Sequence, residues 1–403
     1  MNRLISTIAG GAVAALLAAG AASAQDKIKI GYAVSLSGPN AAGAGITTVP
    51  NYKLWLHDIE AAGGLKLGDK RVPVEVIEYD DQSSNEELIK AAERLVNQDK
   101  VDIMLSPWGT GMNLAVGPTF NKYGYPHMAA TAATDRAYEM AERWPNSFWM
   151  LGTSTMGANA LVEVLTKLHD AGKINAKIAM VSIADGFGIE LSTAARPALA
   201  KAGFELVMDE SYPITTEDFS QLINAAKASG ADTFVAFSYP PDTFGLSGTA
   251  IALGYNPPAF YTAVGTAFSI YRDVILNDNV DGVLGVGGVN ADDPKFKEYA
   301  KRHLEVAGQP PDYWASPVTY ASLEILQQAI ERVGKIDREA IIKEIQTGTF
   351  NTVAGTITFD RNVNTNVWWA GQWQNGEFHG LAPSTMAGAK EPVAPKPAWK
   401  PAP

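Results

Sequence analysis

With 403 residues, 46% of them hydrophobic and 19% charged, the chain is long enough for two compact lobes, and its 32 Lys and Arg against 43 Asp and Glu leave a formal charge of −11. That acidic balance, without a basic block, excludes nucleic acid and an anionic membrane surface as partners, since both need clustered Lys and Arg. The absence of Cys excludes disulfides, thiol catalysis, Cys-ligated zinc, iron–sulfur clusters and a lipid-modified Cys.

The first element is an export signal. Arg3 gives a positive start, Leu4–Gly20 is apolar except for Ser6 and Thr7, and Ala22-Ser23-Ala24 is a small-residue cleavage site, so the mature chain is expected to begin at Gln25 in the periplasm. An uncleaved anchor is the competing reading, because the run is nearly long enough to span a bilayer. From Asp26 onward, strands alternate with amphipathic helices. Lys27–Val34 and Val72–Tyr79 read as strands by their alternating, β-branched character. Thr47–Ala62 reads as a helix with Pro50 in its first turn and Gly63-Gly64 as its stop. Ser84-x-x-Glu87 reads as a capping box opening a helix over Asn85–Gln98, followed by the strand Val101–Leu105.

The same grammar restarts with a strand at Ala176–Ile183, a helix at Ile189–Ala202, a strand at Glu205–Asp209, a helix at Phe219–Ser229 and a strand at Thr233–Phe237. Two βαβ runs predict an α/β protein of two lobes, each a parallel sheet flanked by helices. The chain is expected to pass between lobes near Trp144–Gly152 and Val280–Gly288. The expected division is 25–150 with 282–352 for one lobe, 151–281 with 353–385 for the other, and a Pro-rich tail at 386–403, extended or disordered.

Ligands of parallel sheets sit beyond the carboxyl ends of the strands. This points to the loops Ser35–Gly45, Ser106–Asn113, Ala129–Asp135, Ala184–Gly188, Ser238–Asp242 and Tyr261–Phe268, which hold Gly, Ala, hydroxyls and aromatics but no Lys, Arg or His. No catalytic set stands out. The five His residues (57, 127, 169, 303, 379) lack metal-ligand spacing and read as single surface or loop residues. The pairs Asp80-Asp81 and Asp292-Asp293 read as turns or caps, since neighbouring side chains in extended backbone diverge. Neither a phosphate loop nor a Gly-x-Ser-x-Gly elbow is present.

The stretches KIGYAVSLSGPNAAGAG, EAAGGLKLGDKRVPVEVIEYDDQSSNEELIKAAERLV, GYPHMAATAAT, DGFGIEL and EDFSQLINAAKASGADTFV, in this order between Lys27 and Asp360, resemble the solute-binding proteins of branched-chain amino acid (Leu/Ile/Val) importers. The resemblance implies a type I periplasmic binding protein fold of two lobes closing on a small solute. It also implies a non-enzymatic, monomeric receptor without cofactor or metal, partnered by the permease and ATPase subunits of an ABC transporter. By the same resemblance, Trp108, Gly109 and Thr110, with Thr131, Ala132, Ala133 and Thr134, hold a ligand carboxylate through amides and hydroxyls. Trp108 would form a flat wall there, or alternatively plug the core. Phe187 and Tyr239 align with aromatics that close from the second lobe. Val264 stands where amino-acid binders of the family carry an acid for the ammonium group. The implied ligand is a small carboxylate or amide with an apolar or aromatic body. An aliphatic amino acid, with Asp185 or Asp242 as counter-charge, is the alternative; a ligand sensor of the same fold and an α/β hydrolase are the others.

Overall fold

The computed structural model describes residues 27–400. In the first lobe, Ile28–Val34 is the central strand, paired in parallel with Val74–Asp80 on one side and Ile103–Leu105 on the other. Beyond these, His127–Ala129 and Ser147–Trp149 pair in parallel. The second lobe holds a seven-stranded sheet whose parallel part runs from Glu205–Tyr212 through Lys177–Ile183, Thr233–Phe237 and Ala259–Thr262 to Leu284–Gly285. Ala370–Gln374 and Glu377–Ala382 then close it as an antiparallel edge. Lys177–Ile183 is buried at every position after the first, as expected when helices cover both faces of a parallel sheet. The helix Ser154–Asp170 shows how that cover forms. Leu161, Val164, Leu165 and Leu168 bury one stripe, and the Thr153 hydroxyl accepts the Met156 N–H at its start.

Three passages join the lobes, at 150–153, 286–293 and 365–369. The sequence reading places crossings at Trp144–Gly152 and Val280–Gly288; each span overlaps a linking segment but also takes in a strand, Ser147–Trp149 in one and Leu284–Gly285 in the other. Leu284–Gly285 still pairs with the second sheet, and Val363 pairs with Trp149 of the first, so 353–364 stays with the first lobe. The strands concerned are only two or three residues long, too short for an alternation pattern to register.

Other expectations are corrected in the same way. The predicted helix at 47–62 is two helices, Ala41–Thr47 and Val49–Ala61, which break at Thr48 just ahead of Pro50. The helix from Asn85 ends at Arg94 and continues as a π-turn to Asp99. Its capping box is half made: the Ser84 hydroxyl accepts the Glu87 N–H, whereas the Ser84 N–H goes to the Asp81 carbonyl and the Glu87 carboxylate to Lys90. The Asp pairs do act as turn and cap residues. Asp80 accepts the Leu36, Ser37 and Gln82 N–H groups, and Asp293 caps the helix Pro294–Ala307. His127, His303 and His379 are buried, not surface residues.

The tail through residue 400 is irregular but packed. The Lys396 N–H bonds the Pro258 carbonyl, the Trp399 indole bonds the Tyr255 carbonyl, and the Val393 N–H bonds Gln372. The Lys396 ammonium lies over the Trp399 ring, and burial pulls its pKa down to about 7. Pro fixes the extended path and the aromatic side chains glue it down, a pairing that composition alone reads as a linker. The proposed signal peptide lies outside the described residues.

Candidate ligand-binding cleft

The loop 106–109 turns its carbonyls into the lobe. The Tyr52 hydroxyl donates to the Ser106 carbonyl at 2.6 Å, and Asn113 Nδ2 donates to the carbonyls of Pro107 at 3.1 Å and Gly109 at 2.9 Å. Asn113 is held in turn, because its Oδ1 lies 3.0 Å from His127 Nε2, while His127 Nδ1 lies 3.0 Å from the Ser147 hydroxyl. A carbonyl oxygen only accepts, so Nε2 carries the proton and Nδ1 accepts from Ser147. Gly109 makes the turn at φ +93°, where a side chain would strain the backbone. The helix Thr110–Tyr123 then starts with no side-chain cap. Gly111 and Met112 of its first turn, with Gly109, line a cavity of about 240 Å³ together with Pro39, Asn40, Ser83 and Asn85 of the first lobe. Asp185, Gly186, Ile214 and Tyr239 close it from the second lobe.

Two helix N-termini meet here through glycines. A Cβ on Gly186 would lie 3.5 Å from the Gly111 Cα and N. The second-lobe helix Gly186–Lys201 is capped by Asp185, which accepts the Gly188 N–H at 3.0 Å. Burial raises the Asp185 pKa against the hydrogen bonds from Gly188, the Tyr239 hydroxyl and Phe187 that oppose it. The helix Pro240–Ala252 is likewise capped, with Asp242 accepting the Tyr239 N–H at 3.3 Å; burial pushes the Asp242 carboxyl up to about 6. The second lobe thus neutralises its own helix ends, and the first lobe leaves the 110–123 end open.

Aromatic rings run across the cleft. Trp108 donates from Nε1 to the Thr47 hydroxyl at 2.9 Å, and its ring fits against Gly43, where a Cβ would come within 2.1 Å. The same ring lies 5.1 Å from Tyr239, which stacks on Phe187 at 5.4 Å. Trp108 is therefore both packed into its own lobe and in contact with the other.

The threonines expected together at the ligand have separate duties. The Thr131 hydroxyl accepts the Gly109 N–H at 2.9 Å and so staples the two loops. The Thr110 hydroxyl accepts the Ala133 N–H at 3.3 Å, which leaves its own proton free to donate. Thr134 is engaged elsewhere: its hydroxyl donates to Glu190 of the second lobe at 2.7 Å, and the Asp135 N–H donates to the same carboxylate at 3.2 Å. Ala132 and Ala133 are buried beneath these contacts. Val264 is buried in the second lobe, its N–H bonded to the Ser238 carbonyl and its own carbonyl accepting from Thr243. Its segment, 261–268, carries no acid.

Sequence reasoning missed Asn113, His127 and Glu190. Asn113 and His127 lie off the loop tips and act through hydrogen bonds that no motif encodes. Glu190 lies two residues beyond the DGFG stretch, on a helix face that meets Thr134 of the first lobe. Replacing Glu190 with Ala should weaken solute binding about tenfold, because two inter-lobe hydrogen bonds to a charged group exist only in the closed form. Calorimetry with scattering of the unliganded protein checks this; unchanged affinity would show the contact to be incidental.

A sequence profile described as periplasmic binding protein matches residues 27–377. Leu/Ile/Val-binding protein homolog 7 of Brucella melitensis biotype 1 is 27% identical over 395 residues, covering 93% of this chain and 96% of that protein. Among solved structures, a Rhodopseudomonas palustris ABC-transporter solute-binding protein in complex with 4-hydroxybenzoate matches at 21% identity and a TM-score of 0.74, over 93% of this chain and 99% of that one. A second, from R. palustris BisB5 in complex with 3,4-dihydroxybenzoic acid, matches at 18% identity and a TM-score of 0.76, over 91% and 99%. The branched-chain amino acid substrate-binding protein LivJ of Streptococcus pneumoniae, in complex with isoleucine, matches at 20% identity and a TM-score of 0.74, over 87% and 97%.

Proposed function

The chain belongs to the periplasmic binding protein family, and from that premise we propose that it captures a small monocarboxylate with an aromatic or apolar body and hands it to an ABC-type importer. One observation carries the choice of ligand. The helix 110–123 opens onto the cleft uncapped and faces the N-terminus of 186–201 across two glycines. The end of 186–201 carries Asp185 as its own cap, whereas the end of 110–123 has no anion, so a ligand carboxylate placed there is stabilised by the open amides and the helix dipole. The free proton of Thr110 and the amides of 110–112 supply charge-assisted hydrogen bonds, so no Arg is required. The rings of Trp108, Tyr239 and Phe187 give the solute's body an aromatic wall. The benzoate-type ligands of two fold neighbours are of this kind.

A second reading, an aliphatic amino acid, has Asp185 in its favour, since this carboxylate lines the cavity opposite the 110–123 helix. Its charge is already engaged by the Gly188 and Phe187 amides and the Tyr239 hydroxyl, however, which reduces its hold on an ammonium group. The isoleucine complex of LivJ keeps this reading in the test. A hydrolase finds less support, because the Ser147–His127 pair is sealed in the interior and His127 is committed to Asn113. The receptor's partners on this reading are the importer's permease and ATPase subunits, and its mature start is Gln25, outside the cytoplasm.

Calorimetry on matched pairs decides between the ligands. Benzoate and 4-hydroxybenzoate should bind with micromolar or tighter affinity, and phenylpyruvate should bind better than phenylalanine. Submicromolar binding of leucine, with none of its deaminated analogue, would establish the second reading instead.

A further inference from the structure

A cavity of about 350 Å³ lies where the passages 286–293 and 365–369 meet the helix Ala315–Val333, the hairpin 350–357 and the segment 385–387. None of the six cleft loops contributes to its wall. Its size is that of a small-molecule pocket. Two aromatic walls are built with care. Trp314 sits over Gly287, whose φ of +102° and bare Cα make room where a Cβ would lie 2.3 Å from the Trp314 Cβ. Trp368 lies against Gly380 in the same fashion, a Cβ there meeting its ring at 2.4 Å. The Trp314 indole N–H is buried without an acceptor. Val318 and Ile357 add apolar surface, and Asn290 and Asn366 add amides.

The wall contains no Lys, Arg or His. Its one acid, Asp293, is occupied as a helix cap by the Lys295 N–H at 2.8 Å. A charged solute would be desolvated here with no counter-charge, whereas an uncharged planar one would find ring faces and amide partners. The hairpin packs on the helix Ala315–Val333, which itself packs on Val49–Ala61 of the first lobe, and residues 385–387 follow the last strand of the second. Rotation of the lobes about the passages must therefore change the shape of this cavity, and an occupant bound on both sides senses closure.

We propose that this cavity is a second small-molecule site, for an uncharged planar aromatic compound with one hydrogen-bonding group, and that its occupant favours the closed arrangement. Benzamide is a suitable probe, being flat, neutral and furnished with an amide. Titration followed by tryptophan fluorescence should saturate, and a crystal grown with benzamide should show it between Trp314 and Trp368. Val318→Trp should fill the space and weaken benzamide at least about tenfold, or 1.4 kcal/mol, without altering solute binding in the main cleft. Should that variant not fold, Thr356→Phe on the exposed hairpin tests the same wall. Scattering should show a smaller radius of gyration at saturating benzamide. No saturation up to about 10 mM, benzamide found in the main cleft, or unaltered affinity in both variants would overturn the site. An unchanged radius of gyration on saturation would overturn its coupling to closure.

Discussion

Acidification from pH 7 to pH 4 should remove about 3 kcal/mol of folding stability through His127 alone. Its ring is fully buried, and burial holds its pKa down to about 3 against an ordinary value of 6.5. The sign follows from which state takes up the proton. Below pH 6.5 the unfolded chain protonates this imidazole while the folded chain leaves it neutral down to about pH 3. Stability from this group is therefore complete above 6.5 and is lost progressively as pH falls, at about 1.4 kcal/mol per pH unit. Other buried groups work in the opposite direction. Burial raises Asp242 to about 6 and Glu324 to about 7, so each favours the folded state as pH drops. The comparison must therefore be made against His127→Gln, which keeps those groups and lacks the titration. Urea midpoints at pH 7, 5.5 and 4 should show wild type more stable at pH 7 and its advantage shrinking by about 3 kcal/mol at pH 4. A gap that stays constant with pH would mean that the ring is solvated or charged in the folded protein. The consequence extends to function, because His127 holds Asn113 and Asn113 holds the carbonyls of Pro107 and Gly109.

How far that arrangement could be read from sequence depends on the range of the forces involved. Thr233–Phe237 was legible to the residue because a buried parallel strand is an unbroken apolar run. The loops around Trp108, Asp185 and Tyr239 were legible because parallel topology places every loop after a strand at one end of the sheet. The duties within those loops were not. Thr110, Thr131 and Thr134 look equivalent as residues, yet one keeps a free proton, one staples two loops and one reaches across to Glu190. Those differences arise from contacts between segments more than twenty residues apart. The same holds for the second lobe boundary, where a single pairing, Val363 with Trp149, assigns a whole stretch to the first lobe. The packed tail is a further case, since Lys396 and Trp399 acquire their partners Asn256 and Tyr255 only in three dimensions.

Replacing Trp108 with Ala should weaken an aromatic carboxylate by 2 kcal/mol or more, about thirtyfold, as loss of a central aromatic anchor does. The ring's position explains both the size of the effect and the control it needs. Trp108 is held from behind by Gly43 and the Thr47 hydroxyl and meets Tyr239 in front, so truncation removes packing within the lobe as well as the contact with Tyr239, and on the proposed reading the ligand's wall. The first loss alone should lower folding stability by about 3–5 kcal/mol, which a chain of this size can show as a lowered thermal midpoint while remaining folded at 25 °C. Trp108→Phe separates the two. It keeps an aromatic face toward Tyr239 and loses the Nε1–H bond to Thr47, so affinity should fall by about 1 kcal/mol or less. Gly43→Ala approaches from the other side, because the new Cβ forces the ring forward into the cleft. That variant should also bind weakly although Trp108 itself is unaltered. Calorimetry with benzoate on all three, each first shown by circular dichroism to be folded, gives the order wild type, Phe, then Ala and the Gly43 variant. Equal affinity for wild type and the folded Ala variant would remove Trp108 from the ligand's wall and leave it as a core residue of the first lobe.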